Sequence, residues 1–329
     1  MDDAPWSDRL GVITTERFQA ALDRFDLGRF VAAERVSTGN FGQNVFLTST
    51  QGAFVFRGNP LLPWQFQTEQ FMARMLSDGT SLSVPWPYFH ETDTGIFGWE
   101  FAIMPRLSGL QISERSFYDP LPFEEKRVIA IAMGVALAEL QAVRAQTAGR
   151  FDPDSGTLRP FPASYREWVR EGIDENLRKA MGINMADLDW ADQFLAITGP
   201  AVDDRSIPCF VHGDFHTNNV VAVTDNGHWR ITGIFDLMSS HVGDGEFDLA
   251  RQFCFFCEQD QRLAQAFLMS YTSIRKPRPS FRDRLGYFVL NERLGTWEWA
   301  KRTGIAWWEP ELGFRPWLES FLTAIPDLD

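Results

Sequence analysis

The segment 210-FVHGDFHTNNVVAV-223 sets two apolar runs around a loop that holds two histidines, an aspartate and two asparagines. Short valine-rich runs read as buried strands, so the polar residues between them are positioned rather than adaptable. Asp214, at the head of the loop, is suited to accept a proton from a hydroxyl. Asn219, at its far end, offers a neutral oxygen that suits a hard cation such as Mg2+. One strand later, 229-WRITGIFDL-237 delivers Asp236, a carboxylate able to reach the same cation. A base, an amide ligand and a carboxylate ligand, in that order, are parts of metal-assisted phosphoryl transfer. Asp and Asn are also common turn residues, and an isolated D-x-x-x-x-N is uninformative. The weight rests on the full H-G-D-x-x-x-x-N between strands, followed by a strand ending in Asp.

The elements around this loop fall into two textures. Residues 14–25 have helical spacing, and 30–57 read as three short strands with a hairpin tip at 37-STGNFGQN-44. A helix over 64–76 and strands near 88–89 and 99–107 complete a small, mostly antiparallel sheet with one embedded helix. After Gly109 the pattern turns helical: 124–145, 162–200, and 248 to the end, interrupted by the strands of the polar loop. The expected class is therefore α+β, with a β-rich part over 1–105 and a larger helical part over 106–329. At 329 residues, 44% hydrophobic and 23% charged, the chain has ample core for a globular protein. No apolar run reaches a membrane span, and the start MDDAPWSDRL does not resemble a secretory signal. Three cysteines argue against a disulfide framework, so a reducing cytoplasm is expected. The net charge of −13 disfavours a nucleic-acid partner and leaves room for a cationic ligand, although acidity also serves solubility alone.

The stretches 212-HGDFHTNN-219 and 233-GIFDLMSSHVGDGEFDLA-250 together resemble the signature of the aminoglycoside phosphotransferase family, the kinase-like small-molecule kinases that include choline kinase relatives. The resemblance implies a bilobal protein-kinase-like fold with ATP in the cleft. It implies Asp214 as catalytic base, Asn219 and Asp236 as Mg2+ ligands, and His212 and Asp248 as structural residues. Nucleotide is then expected in the N-terminal lobe, at the tip carrying Ser37, Gly39, Asn40, Gly42 and Asn44. Glycines there let backbone N–H groups approach phosphates, although any hairpin turn favours Gly and Asn. A Walker A loop is excluded, because no Gly-Lys pair occurs. The first lysine is Lys126, so the strand lysine of protein kinases is missing; Arg57 stands at the matching place, with Glu69 as its candidate partner. The alternative for Arg57 is a strand-end arginine in solvent. At the junction of the lobes, Pro105 has no N–H, so Met104 is expected to accept from adenine and Arg106 to donate to it.

The acceptor is less defined. Glu246, Glu258, Asp260, Glu292 and Glu298 lie on the helical lobe, and the last two flank Trp297 in a Trp- and Glu-rich segment. Two readings stay open: a cage for a cationic acceptor, or an ordinary amphipathic helix. Glu258, Asp260, Glu292 and His216 are the acceptor-side candidates, with loop bracing the alternative for His216. Cys254 and Cys257 form C-x-x-C without a second ligand pair nearby, which favours core packing over metal or redox chemistry. The expected activity is transfer of the ATP γ-phosphate to a hydroxyl of a small molecule such as an aminoglycoside-type antibiotic. The alternatives are another small acceptor (amino alcohol, sugar, macrolide) or a non-catalytic nucleotide-binding protein. The stretch between Asp236 and 243-GDGEFDLA-250 is too short for the activation segment of a protein kinase.

Overall fold

The Thr14 hydroxyl accepts from the Arg17 amide and so caps α1 (Thr15–Asp23). The computed structural model describes residues 5–36, 42–112, 115–202, 206–225, 228–309 and 311–328. After α1 come β1 (Phe30–Arg35), β2 (Asn44–Ser49), β3 (Gly52–Gly58), α2 (Gln65–Ser77), β4 (Phe89–Glu91) and β5 (Phe101–Pro105). The strands form one antiparallel sheet in the order β1-β2-β3-β5-β4. Side chains of a strand alternate between faces, and β5 shows why the sheet is covered on both. Phe101 and Ile103 pack with Phe18, Ala21 and Leu22 of α1, while Ala102 and Met104 join Phe66, Met72 and Leu76 of α2. These four β5 residues are all buried, which explains the strand's unbroken apolar run.

The remaining elements are β6 (Leu110–Gln111), α3 (Arg115–Tyr118), α4 (Phe123–Leu140), β7 (Gly149–Asp152), β8 (Thr157–Pro160), α5 (Tyr165–Lys179) and α6 (Met185–Thr198). They are followed by β9 (Cys209–Val211), β10 (Val220–Asp225), β11 (His228–Ile234), β12 (His241–Gly243), α7 (Phe247–Gln259), α8 (Gln261–Ile274), α9 (Phe281–Thr303) and α10 (Phe314–Leu322). The class is α+β, as the sequence indicates. Helix α4 crosses α8 closely at Gly134, where a Cβ would stand 2.0 Å from Ser270 Oγ and 2.4 Å from the Phe267 carbonyl. The helical stretch 162–200 is divided into α5 and α6 by a turn containing Gly182 at φ +76°.

Two small sheets escape a reading by periodicity: β11-β10-β6 and β8-β7-β12-β9. Several of their strands are two to four residues long and exist only through distant partners, as where Val242 pairs with Phe210. These sheets matter for the site, because β9 leads into the polar loop and β10 and β11 lead out of it. Among the described residues no helix is long and apolar enough to cross a membrane.

Candidate active site

The loop after β9 is fixed from beneath by the first turns of α7. Asp248 accepts the amides of His212 and Gly213 at 2.7 and 2.9 Å, and Gln252, one turn on, accepts that of Thr217 at 3.0 Å. Burial pushes the Asp248 carboxyl up to about 7, against the pull of the two amides it accepts. His212 ties the loop to β11. The Asp214 amide donates to its Nδ1 at 3.2 Å, so the proton lies on Nε2, which donates to the Phe235 carbonyl at 3.0 Å. Burial lowers the pKa of this ring and keeps it neutral.

Gly213 has φ +76°, and a Cβ there would stand 2.4 Å from the Ser239 carbonyl. Left-handed backbone alone costs a non-glycine residue about 1–2 kcal/mol, and the clash adds to it. Gly213→Ala is therefore expected to lower stability by about 2 kcal/mol or more, read as the midpoint of denaturant unfolding. A midpoint equal to that of the unsubstituted protein would contradict this account of the loop.

Asp214 is gripped on both oxygens. Its Oδ2 accepts from Asn219 Nδ2 at 3.1 Å, and the same nitrogen donates to the Asp214 carbonyl at 2.9 Å. The planar amide of Asn219 then directs its Oδ1 away from Asp214. On the other side, Oδ1 of Asp214 lies 2.8 Å from Arg251 Nε and 3.4 Å from His216 Nε2. Burial alone would raise the Asp214 pKa, but the His216 hydrogen bond and the charge of Arg251 hold it at about 2.

Asp236 stands at the same end of the β10–β11 hairpin as Asn219. Val220 pairs with Ile234, and the Phe235 amide donates to the Asn219 carbonyl at 3.0 Å. The Asp236 backbone is left-handed, at φ 64° and ψ 61°. Its Oδ1 is 3.4 Å from Arg57 Nη1, which also lies 2.6 Å from Glu69 Oε2. Tyr88 and Gln65 donate to the two Glu69 oxygens. Arg57 is thus no solvent arginine. Burial disfavours its charge, but Glu69 and Asp236 more than offset this and hold it protonated. Its Nε is buried with no hydrogen-bond partner among the described residues, as is Asn44 Oδ1.

Other expectations need revision. Ser37, Gly39 and Asn40 lie outside the described residues; Gly42, at φ +60°, precedes β2, and Asn44 opens it. The hinge reading of Met104 and Arg106 is one residue out of register. The Arg106 amide donates to the Ala53 carbonyl at 3.0 Å, and Met104 pairs with Val55, so both residues are committed to β3. Alternation turns the Pro105 carbonyl and the Leu107 amide away from β3, and β4 stops pairing at Ile103. The Arg106 guanidinium lies 3.6 Å over the Phe46 ring.

On the helical side the acidic candidates already have partners. Glu258 lies 2.8 Å from Arg293 Nη1, and Glu292 contacts both Arg293, at 3.1 Å, and Arg251, at 3.5 Å. Asp260 caps α8 and pairs with Arg262 at 2.6 Å. Glu246 is buried against Arg284, and Glu298 pairs with Arg302. Trp297 is core, stacked 5.2 Å from Trp308, with its own chain's Lys301 4.6 Å over the ring. The cage is filled from within because α9 and α10 need that surface for packing. Burial pushes the Cys257 thiol up to about 12 and raises that of Cys254 further, as suits core residues.

Arg251 and Gln252 of α7 touch the loop without having been singled out from the sequence. The signal was available: they stand three and four residues after Asp248, one helical turn along the same face.

The family model described as "Phosphotransferase enzyme family" matches residues 32–282. No curated protein matches the chain. Among solved structures, a thermostable mutant of aminoglycoside phosphotransferase APH(4)-Ia in complex with ADP and hygromycin B is 19% identical, with a TM-score of 0.65 over 93% of this chain and 97% of that one. A putative aminoglycoside phosphotransferase from Ralstonia eutropha JMP134 is 16% identical, with a TM-score of 0.67 over 94% and 98%. The GDP and kanamycin complex of APH(2")-IIIa is 15% identical, with a TM-score of 0.65 over 94% and 99%. The fold is thus the kinase-like one of aminoglycoside phosphotransferases, and with most of its length matched by the family model, the chain belongs to the phosphotransferase enzyme family.

Proposed function

We propose that this phosphotransferase moves the γ-phosphate of ATP to a hydroxyl of a small molecule, with Mg2+, in a cleft between lobes spanning 1–105 and 106–329. The observation that carries this reading is Arg57, joined by one nitrogen to Glu69 and to Asp236, with its buried Nε without a partner among the described residues. An orphaned guanidinium N–H beside two carboxylates fits a phosphate oxygen, which would satisfy it. The donor set also fits a hard cation: the Oδ1 of Asn219 and the carboxylate of Asp236, on adjacent strand ends. Bound there, Mg2+ would neutralise charge on the phosphate oxygens.

In this reading Asp214 accepts the proton of the acceptor hydroxyl as its oxygen bonds to the γ-phosphorus. The bond from that phosphorus to the β–γ bridging oxygen breaks, and ADP leaves with the electron pair. Asp214 is kept ionised by Arg251 and His216, and its aim is fixed by Asn219. Arg57, oriented by Glu69, holds the phosphates. Adenine would be read by the Pro105 carbonyl and the Leu107 amide, the hinge groups not used by β3. Related structures hold ADP with hygromycin B, or GDP with kanamycin. These support a nucleotide and a small acceptor for this chain as well. A cytoplasmic location and no nucleic-acid partner complete the proposal.

The test is ADP release from Mg-ATP across aminoglycosides, amino alcohols, sugars and macrolides. At least one acceptor is expected to raise release well above the rate with water, and EDTA to abolish it. Failure to bind Mg-ATP at all would overturn the assignment.

A further inference from the structure

Arg251 stands where a cationic acceptor would have to bind. Its Nε is 2.8 Å from Asp214 Oδ1, and its Nη1 lies 3.5 Å from both Glu292 oxygens. Its side chain is still 42% exposed, and these contacts engage Nε and Nη1 but not Nη2. The carboxylates that could have held an ammonium nearby, Glu258 and Glu292, are engaged by Arg293. Arg293 is itself buried over the Trp317 and Phe321 rings and is not free to leave.

The helix that carries Arg251 continues the surface. Positions 251, 255 and 259 of α7 recur at helical spacing and span about 12 Å at 1.5 Å per residue. Phe255 and Gln259 line a cavity of about 550 Å³ that also borders Thr217 and Asn218 of the base loop. The cavity, of the size of a small ligand, thus lies along α7 one to two turns beyond Arg251 and beside the loop that carries Asp214. A guanidinium offers only donors, so what it recognises is oxygen. An ammonium beside the reacting hydroxyl would meet a like charge, or would have to evict Arg251 from two carboxylates.

We propose that Arg251 selects the acceptor: its open N–H groups take an oxygen (hydroxyl or carboxylate) flanking the hydroxyl that is phosphorylated, and the site disfavours acceptors with an ammonium there. This rests on the phosphotransferase reading above and names its substrate class. Acceptors of disaccharide length fit the distance along α7.

The test uses the full chain with Mg-ATP and matched mono- and disaccharides that bear a hydroxyl, a carboxylate or an ammonium beside the same hydroxyl. ADP release is measured, and acceptor binding is followed by calorimetry with a non-hydrolysable ATP analogue. The unsubstituted protein is expected to show the highest kcat/KM with hydroxyl- or carboxylate-flanked acceptors. Arg251→Ala should raise their KM about tenfold or more, Arg251→Lys less, with nucleotide affinity unchanged. For ammonium-flanked acceptors Arg251→Ala should leave KM the same or lower it. Three results would overturn the proposal: an ammonium-flanked acceptor as the best substrate, an acceptor KM indifferent to Arg251, or no binding by any hydroxyl- or carboxylate-flanked compound. The phosphotransferase reading is scored separately, by Mg-ATP binding and slow hydrolysis to water. If these persist while the acceptor preference fails, only the role of Arg251 falls.

Discussion

Asp214→Asn is expected to lower kcat by roughly 10²-fold or more while nucleotide affinity stays within a few-fold, the usual effect of removing a positioned base. The substitution keeps the side-chain shape, its one amide oxygen can still accept from Asn219 or Arg251, and the Asp214 backbone carbonyl still accepts from Asn219, so the loop should hold its place. What changes is the ability to take a proton. An amide cannot, whereas the native carboxylate is ionised at any ordinary pH, with its pKa held at about 2. Single-turnover kinetics with a saturating acceptor would separate this from slow product release. Turnover within a few-fold of the unsubstituted protein would remove Asp214 from the role.

Asp236→Ala is expected to reduce Mg2+-dependent turnover to background. Phosphate charge left uncompensated costs several kcal/mol in the transition state, and each 1.36 kcal/mol is tenfold in rate. Alanine at φ 64° also strains the backbone, so Asp236→Asn is the cleaner companion, because asparagine accepts the left-handed region more readily. Both variants should lose activity, and both should need far more Mg2+ for whatever remains. The loss reaches Arg57 as well, since Asp236 shares it with Glu69. If Asp236→Asn kept near-native rates with an unchanged Mg2+ requirement, the metal assignment would be wrong.

The proximity of the candidate residues could be read from the sequence where neighbours in the chain are neighbours in space. Asp214 and Asn219 sit in one loop, and Asp236 lies two residues past β11, whose partner β10 begins one residue after Asn219. A hairpin between short apolar runs leaves few arrangements for such residues, so their convergence was legible. The pairing of Arg57 with Glu69 was legible for a similar reason: one strand and the helix that follows it. The backbone groups of Met104 and Arg106 expected to meet adenine are instead spent on β3. Which carbonyls and amides a strand spends on its partner depends on register, and the pairing of Arg106 with Ala53 is not written in either segment alone.

The sequence alone indicated the class of fold, the order of its parts and the residues whose chemistry suits the proposed proton acceptance and metal binding. These follow from local periodicity and from side-chain chemistry, which need no distant partner. Only the tertiary structure decided which charges remain available. Glu258 looks like a seat for a cation until α9 brings Arg293 to it, and Arg251 looks unremarkable until α7 lays it on Asp214 and Glu292. Burying a carboxylate demands a partner, and which partner arrives is settled by how helices distant in sequence cross, not by the residues on either side of it.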